Sequence, residues 1–447
     1  MRALSFLLTF LAVAVLVVGS IFWINRDTFL AVFQNRPAIL EGSEWVEKTY
    51  SLGGLIEFMA EQPQHAALLS VPFRDISETD ITDAHPESYR PEHGLAPSGD
   101  QANRRTPDPA NGQRHHQAHD RTPGQRHDQA TGRTPDPATG QAIRYRSDLM
   151  HPAGTLSNLM LAITYADLVT SGALDPDTQI NTEKVSSFHI PGLDRRHQQT
   201  FRRWKSELPA PPTIDNLVRY LLRHNDPAAA DFLFFFLGPD DVSAMTRQLG
   251  GGLIEPPVPQ FGLRMTALEK PAGQSLSERL SALGSIDRSV FLVDAVAAAQ
   301  RQWDQPRDVP EASIPSFQDQ RTLHGLYPRL QPDRFADIIA SIWQNTLISQ
   351  AASEKLQQLL LRDPGDRLLA PHVHWYAAQF DERMSYLSGW SAAGKTKTPG
   401  FRVQIILAVD IPAGLWFHMN SNFMIQDFHN RMFYDPAIRT RSHDLLM

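Results

Sequence analysis

The stretch HPAGTLSNLMLAITYADLVTSG, His151 to Gly172, limits the folds open to this chain more than any other. Leu156, Leu159, Met160, Ile163 and Leu168 recur at helical spacing, and the residues between them are largely apolar. A helix that is apolar on nearly every side has no face to offer to water, so other elements must surround it. Gly172 is placed to end it.

The surrounding elements can be sketched from their patterns. Ile143 and Tyr145 alternate with Arg144 and Arg146, the period of a half-buried strand. HAALLSVPF, preceded by a short amphipathic helix that Ser51 would cap, is an apolar run of strand length. Helices are expected at TIDNLVRYLLRH with Thr213 as cap, at PAAADFLFFFLG stopped by Gly238, and at SIDRSVFLVDAVAAAQRQW, PDRFADIIASIWQNTLI and QAASEKLQQLLLRDPG. YLSGWSAAGKTKTPGFRVQIILAVDIPAG reads as two strands joined by a turn at Pro399-Gly400. Strands near both ends of the folded region and helices between them imply a sheet assembled from distant segments and packed against helices.

Two segments stand outside this scheme. Ala3 to Ile24 carries no charge, and about 22 helical residues span roughly 33 Å, the thickness of a bilayer core. Residues 1–25 are therefore expected to be a single membrane anchor, with a long signal peptide cut after Ser20 as the other reading; both place the remainder outside the cytoplasm. Residues 26–50 read as a linker. From Gly99 to Gln141 there is no Val, Ile, Leu, Met or aromatic residue, and RTPDPANGQ returns as RTPDPATGQ. Such a segment buries too little apolar surface to order itself, so 99–141 is expected to be a disordered insertion. Its His115, His116, His119 and His127 lack the fixed geometry of a metal site. The first part of the domain is then 51–98, the remainder 142–430, and 431–447 a tail.

The net charge of -7 over 447 residues gives no basic face for nucleic acid. With no cysteine in the chain, disulfides, thiolate metal sites and cysteine nucleophiles are excluded. No cofactor and no metal is expected.

Three spots carry chemistry: Thr155 to Asn158 at a helix start, Asn225 to Pro227 at a corner between helices, and Lys395 to Lys397 late in the chain. Their order and flanks resemble the penicillin-recognising serine hydrolases, which include class A beta-lactamases and D-Ala-D-Ala peptidases and carry S-x-x-K, S-D-N and K-T-G. MHPAGTLSNLMLAITYADLVTSGALDPDTQI, RHNDPAAADFLFFFLG and AAGKTKTPG resemble the segments around those motifs. The resemblance implies a mixed α/β fold, an antiparallel sheet flanked by helices with a helical subdomain. It also implies beta-lactams or cell-wall peptides as the ligand class.

On that resemblance Thr155 stands for the nucleophilic serine and Asn158 for the lysine one turn later. Asn225 and Asp226 fill the second motif, where Asp226 can equally cap the helix that begins at Pro227. Lys395, Thr396 and Lys397 fill the third, which would hold an anionic group. An asparagine cannot exchange a proton near neutral pH, so Thr155 lacks its base. Ser157 is no substitute, since Met160 stands three residues after it. His224 and Lys395 are the other candidate bases, and Glu255, beside two prolines, is a nearby candidate for the deacylating glutamate of class A enzymes, without clear context. The expectation is an anchored, exported protein with degenerate motifs that binds or scaffolds. The alternative is a hydrolase using Thr155.

Overall fold

The computed structural model describes residues 41–73, 142–193, 195–208, 211–268, 278, 288–312, 317–362, 369–383, 386–396 and 400–447. The expected anchor and the repetitive insertion lie outside these residues. Among those described, no helix is long and apolar enough to cross a membrane.

The main sheet has six strands in the order β2-β1-β8-β7-β6-β5, and every pairing in it is antiparallel. They are β1 (Ala66–Phe73), β2 (Ile143–Tyr145), β5 (Leu361–Arg362), β6 (Val373–Arg383), β7 (Tyr386–Lys395) and β8 (Phe401–Ala408). A separate two-stranded ladder joins β3 (His151–Pro152) to β4 (Arg329–Leu330). β1 pairs with β8 along its whole length, Ala66 opposite Ala408 and Phe73 opposite Phe401. The sheet thus joins chain segments separated by the entire helical block, as the sequence implied.

Side chains in a strand alternate between faces, and here the alternation splits the core in two. Ala67, Leu69 and Val71 of β1 join Val403, Ile405 and Leu407 of β8 in the larger core. Ala66 and Leu68 join Ile406 and Ala408 in a second core on the opposite face. The larger core holds helix Asn158–Thr170, whose residues from Asn158 to Ala166 are all buried. Each fully buried Leu, Ile or Met there contributes roughly 1.5–3 kcal/mol of transfer free energy. Ile214–His224, Pro227–Leu237, Pro239–Gly250 and Gln350–Leu360 pack around it. The first is closed by a reciprocal capping box between Thr213 and Asn216.

The second core corrects two boundaries. Part of the expected linker is folded: Trp45 is buried beside Phe58 at 5.3 Å between ring centres. The expected tail 431–447 is the end of helix Met424–Tyr434 followed by helix Pro436–Leu446. The latter packs on Leu52–Glu61 and buries Leu446, Ser442 and Arg439. Its sequence alternates charge with apolar residues, so its apolar face is narrow and composition alone suggested an exposed end.

Helices Gln260–Leu268 and Arg288–Asp304 touch backbone to backbone at Gly262, where an added Cβ would sit 1.8 Å from the Ala295 carbonyl oxygen. Gly262→Ala is therefore expected to separate the pair and lower stability by roughly 1–3 kcal/mol, as overpacked sites do. A urea midpoint unchanged from the parent protein would show that the helices do not approach this closely.

Candidate functional site

Thr155 sits in a short 3-10 turn, Gly154–Ser157, that leads into helix Asn158–Thr170. The turn begins with Gly154 at φ +55, where a Cβ would lie 2.5 Å from the Tyr386 hydroxyl and 2.8 Å from Asp381 Oδ2. Only glycine fits that conformation and that approach. Thr155 is then wholly buried, at 0% exposure.

Every backbone group of Thr155 that could take part in chemistry is already engaged. Its amide donates to Asp381 Oδ2 at 3.3 Å, and its carbonyl accepts from Gln379 Nε2 at 3.3 Å. Its hydroxyl, by contrast, has no hydrogen-bond partner, and neither has the Asn158 side-chain nitrogen, itself in a residue 5% exposed. Ser157 is occupied locally, donating to the Gly154 carbonyl at 3.0 Å.

The corner between helices brings Asn225 to the same place. It adopts the left-handed conformation, φ +49, that the tight turn requires. Its side-chain oxygen accepts from Gln379 Nε2 at 2.6 Å, and its amide nitrogen donates to the Phe380 carbonyl. Gln379 is fixed in turn by Trp390, whose Nε1 donates to its oxygen at 3.1 Å. Asp226, one residue on, points away into a buried cluster. It accepts from the Ala229 amide at 3.1 Å, from Tyr220 at 2.8 Å, and pairs with His197 Nδ1 at 2.7 Å. It caps helix Pro227–Leu237, the structural alternative that the sequence left open.

Strand β6 closes the site. From Trp375 onward its alternate residues Trp375, Ala377, Gln379 and Asp381 share a face. The first two belong to the larger core and the last two meet Thr155. Arg383 Nε clamps the Asp381 carboxylate at 3.0 and 3.2 Å and reaches Tyr327 through Nη1 at 3.3 Å. Tyr386 donates to the Pro152 carbonyl at 3.4 Å. Burial and the Asp381 charge hold its hydroxyl well above the usual phenol range, so it stays protonated.

The third expected motif lies elsewhere. Lys395 ends β7 and stands opposite Val373, at the start of β6. Gln379 is six residues further along β6, roughly 20 Å at strand rise. Thr396 turns away, its hydroxyl on the Pro371 carbonyl at 3.2 Å, and Lys397 lies outside the described residues. The structure therefore brings Thr155, Asn158 and Asn225 together but not Lys395 or Thr396. A Lys-Thr pair before a turn matches the motif's letters, yet here it precedes the β7–β8 turn, at the far end of the sheet.

The other candidate bases are also placed. His224 is exposed at the end of its helix against the Tyr220 ring. Glu255 is held by Arg288 at 2.8 and 2.5 Å and accepts from the Arg329 amide at 2.7 Å, so its role is to tie chain segments together. Among the described residues no three His, Asp or Glu side chains gather as metal ligands would. A pocket of about 590 Å³ is lined by Thr182, His189, Phe201, Arg202, Lys205 and Arg307, among others, and by no residue of the Thr155 site.

A sequence model of the beta-lactamase enzyme family matches residues 124–398, more than half of the chain, and the chain belongs to that family. Solved structures that match the chain include a beta lactamase from Xanthomonas campestris pv. campestris. It shows 10% identity, covers 89% of this chain and 99% of that one, and has a TM-score of 0.41. A beta-lactamase from Sphaerobacter thermophilus has 12% identity, 85% and 97% coverage and a TM-score of 0.42. One from Burkholderia vietnamiensis has 11%, 69%, 86% and 0.38. No curated protein matches the chain.

Proposed function

We propose that this protein is a membrane-anchored, exported member of the family whose beta-lactamase-like domain binds or scaffolds without hydrolysing. The ligand class is the one the family suggests, a beta-lactam or a D-Ala-D-Ala cell-wall peptide. One observation carries the reading: the amide of Thr155 gives its hydrogen to a carboxylate while the hydroxyl beside it is sealed from solvent. Acyl transfer needs hydrogen-bond donors facing the oxygen on which negative charge develops. Asp381 puts a negative group at one such donor, with the sign opposite to catalysis. Asn158 supplies neither base nor cation, and Gln379 brings an uncharged side chain where Asn225 meets β6.

The alternative, a hydrolase using Thr155, draws support from the unpartnered hydroxyl, which no internal hydrogen bond restrains. Incubation of the full chain with a fluorescent penicillin separates the two. The expected result is no covalent adduct on the peptide containing Thr155 and no turnover of a chromogenic cephalosporin above buffer. An adduct lost in Thr155→Ala establishes the hydrolase reading instead.

A further inference from the structure

We propose that the face carrying Tyr50 and Phe423 rests on the lipid bilayer, with both rings in the headgroup layer beside the place where the chain departs toward its apolar N-terminal run. This rests on the anchor reading of Ala3 to Ile24 and adds to it an orientation for the folded domain.

The chain is pinned where it joins the body. Gly42 lies against Pro412, so closely that a Cβ would sit 2.5 Å from the proline Cβ, and this holds residues 41–46 at the start of helix Ala413–Ser421. Residues 25–40 separate Ile24 from this point. The described chain therefore leaves the body beside helix Ala413–Ser421, on the side from which it runs toward the expected membrane segment.

That surface is where the described chain shows aromatic rings to solvent. Tyr50 is 68% exposed and Phe423 67%, and the remaining large apolar side chains that are exposed among the described residues are aliphatic. Both rings flank one helix. Tyr50 packs edge-on against His418 at 4.3 Å, and Phe423 follows the helix end. Phe417 on the same helix is half-buried. Phe423 also adopts a positive φ of 53, unfavourable for a bulky residue, and its side chain is largely exposed. Aromatic rings at a protein surface near a membrane segment are suited to the bilayer interface, where an apolar body and a hydrated boundary meet.

Charge does not drive the contact. Lys48 lies over the Trp45 ring at 4.4 Å, but Glu44 and Glu47 are exposed on the same few residues. The surface thus fits a neutral headgroup as well as an anionic one.

The native chain has no cysteine, so one introduced thiol can be labelled uniquely. Asn420→Cys, exposed on helix Ala413–Ser421 three residues before Phe423, and Val293→Cys, exposed elsewhere, are labelled with an environment-sensitive fluorophore in the full chain. Both are reconstituted with phosphatidylcholine vesicles containing lipids brominated near the headgroup end of the acyl chains. The label at 420 should be quenched at least about threefold more than that at 293, as expected for a site at the interface. Adding Tyr50→Ser and Phe423→Ser should remove most of the difference. Equal quenching at 420 and 293 in protein that floats with the vesicles overturns the orientation and leaves the anchor intact. Protein that does not float overturns both. Disulfide-linked dimers through Asn420→Cys show instead that a second copy covers the face, and also overturn the proposal.

Discussion

Asp226→Ala should destabilise the fold by roughly 3–5 kcal/mol, the usual effect of removing one partner from a buried charged network. The carboxylate is 4% exposed and serves three donors at once, His197 Nδ1, the Tyr220 hydroxyl and the Ala229 amide. Alanine leaves the His197 nitrogen and the Ala229 amide without this acceptor and leaves Tyr220 only Thr200 Oγ1 at 3.1 Å, and each orphaned donor carries its own desolvation penalty. It also removes the cap of helix Pro227–Leu237, itself worth about 1 kcal/mol. Asp226→Asn keeps one acceptor oxygen and should lose less. Urea unfolding followed by circular dichroism measures both, and a loss below about 1 kcal/mol for the alanine variant would mean the cluster is not closed to water.

The same group sets an acid limb. Burial pushes the Asp226 carboxyl up, but the hydrogen bond and charge of His197, the Ala229 amide and the Tyr220 hydroxyl outweigh it and hold it below the ordinary value. A folded-state value below the unfolded one means that the carboxylate contributes stability at pH above about 4, and that this is lost as pH falls through the folded value. Asp215 adds in the same direction: burial raises it, and Arg219, Lys355 and Tyr165 bring it lower. Stability of the parent protein should therefore fall steeply below about pH 4, and Asp226→Asn should show a shallower fall over the same range. Parallel slopes for the two proteins would contradict the assignment.

The residues that build the sheet and the buried helix were legible because their period and composition agree. β1, β7 and β8 are buried on both faces and mostly apolar, with Ser70, Ser388, Ser391, Arg402 and Gln404 as buried polar exceptions, and the apolar run after Thr155 allows no other placement. Thr213, Ser51 and Gly238 punctuate their helices as their chemistry dictates. β6 was not legible as the strand of the site. Its inward face begins with Trp375 and Ala377 and then turns polar at Gln379 and Asp381, so the apolar pattern fades where the strand reaches Thr155. Polar residues continuing an inward face are the signal that could have found it, since a buried polar side chain needs a partner. The Lys395-Thr396 pair drew attention instead because its letters match, and letters carry no information about which end of a strand meets the helix. Asp226 shows the converse case. Its residue type and the following proline specify a cap on physical grounds alone, and the structure uses it so.

Asp381 leads to the second large effect. Thr155→Ser with Asn158→Lys rebuilds the side chains the family motif carries, and alone it should still give no penicillin adduct. The serine amide would remain bound to Asp381, and Arg383 would keep that carboxylate in place. Adding Asp381→Ala releases the amide toward an oxyanion. One such donor is worth about 10²–10³ in acylation rate, so labelling of the triple variant should exceed that of the double by about that factor. The new lysine enters a site where Asn158 is 5% exposed, and burial lowers an ammonium pKa, which suits it to accept the serine proton. Mass spectrometry of the serine-containing peptide after timed exposure reads the rate, with circular dichroism confirming that each variant is folded. Equal labelling by double and triple variants would clear Asp381 of blocking the site. A folded triple variant without adduct would place the block in the burial of residue 155 itself, because a nucleophile whose carbon neighbours exclude the substrate gains nothing from a repaired proton acceptor.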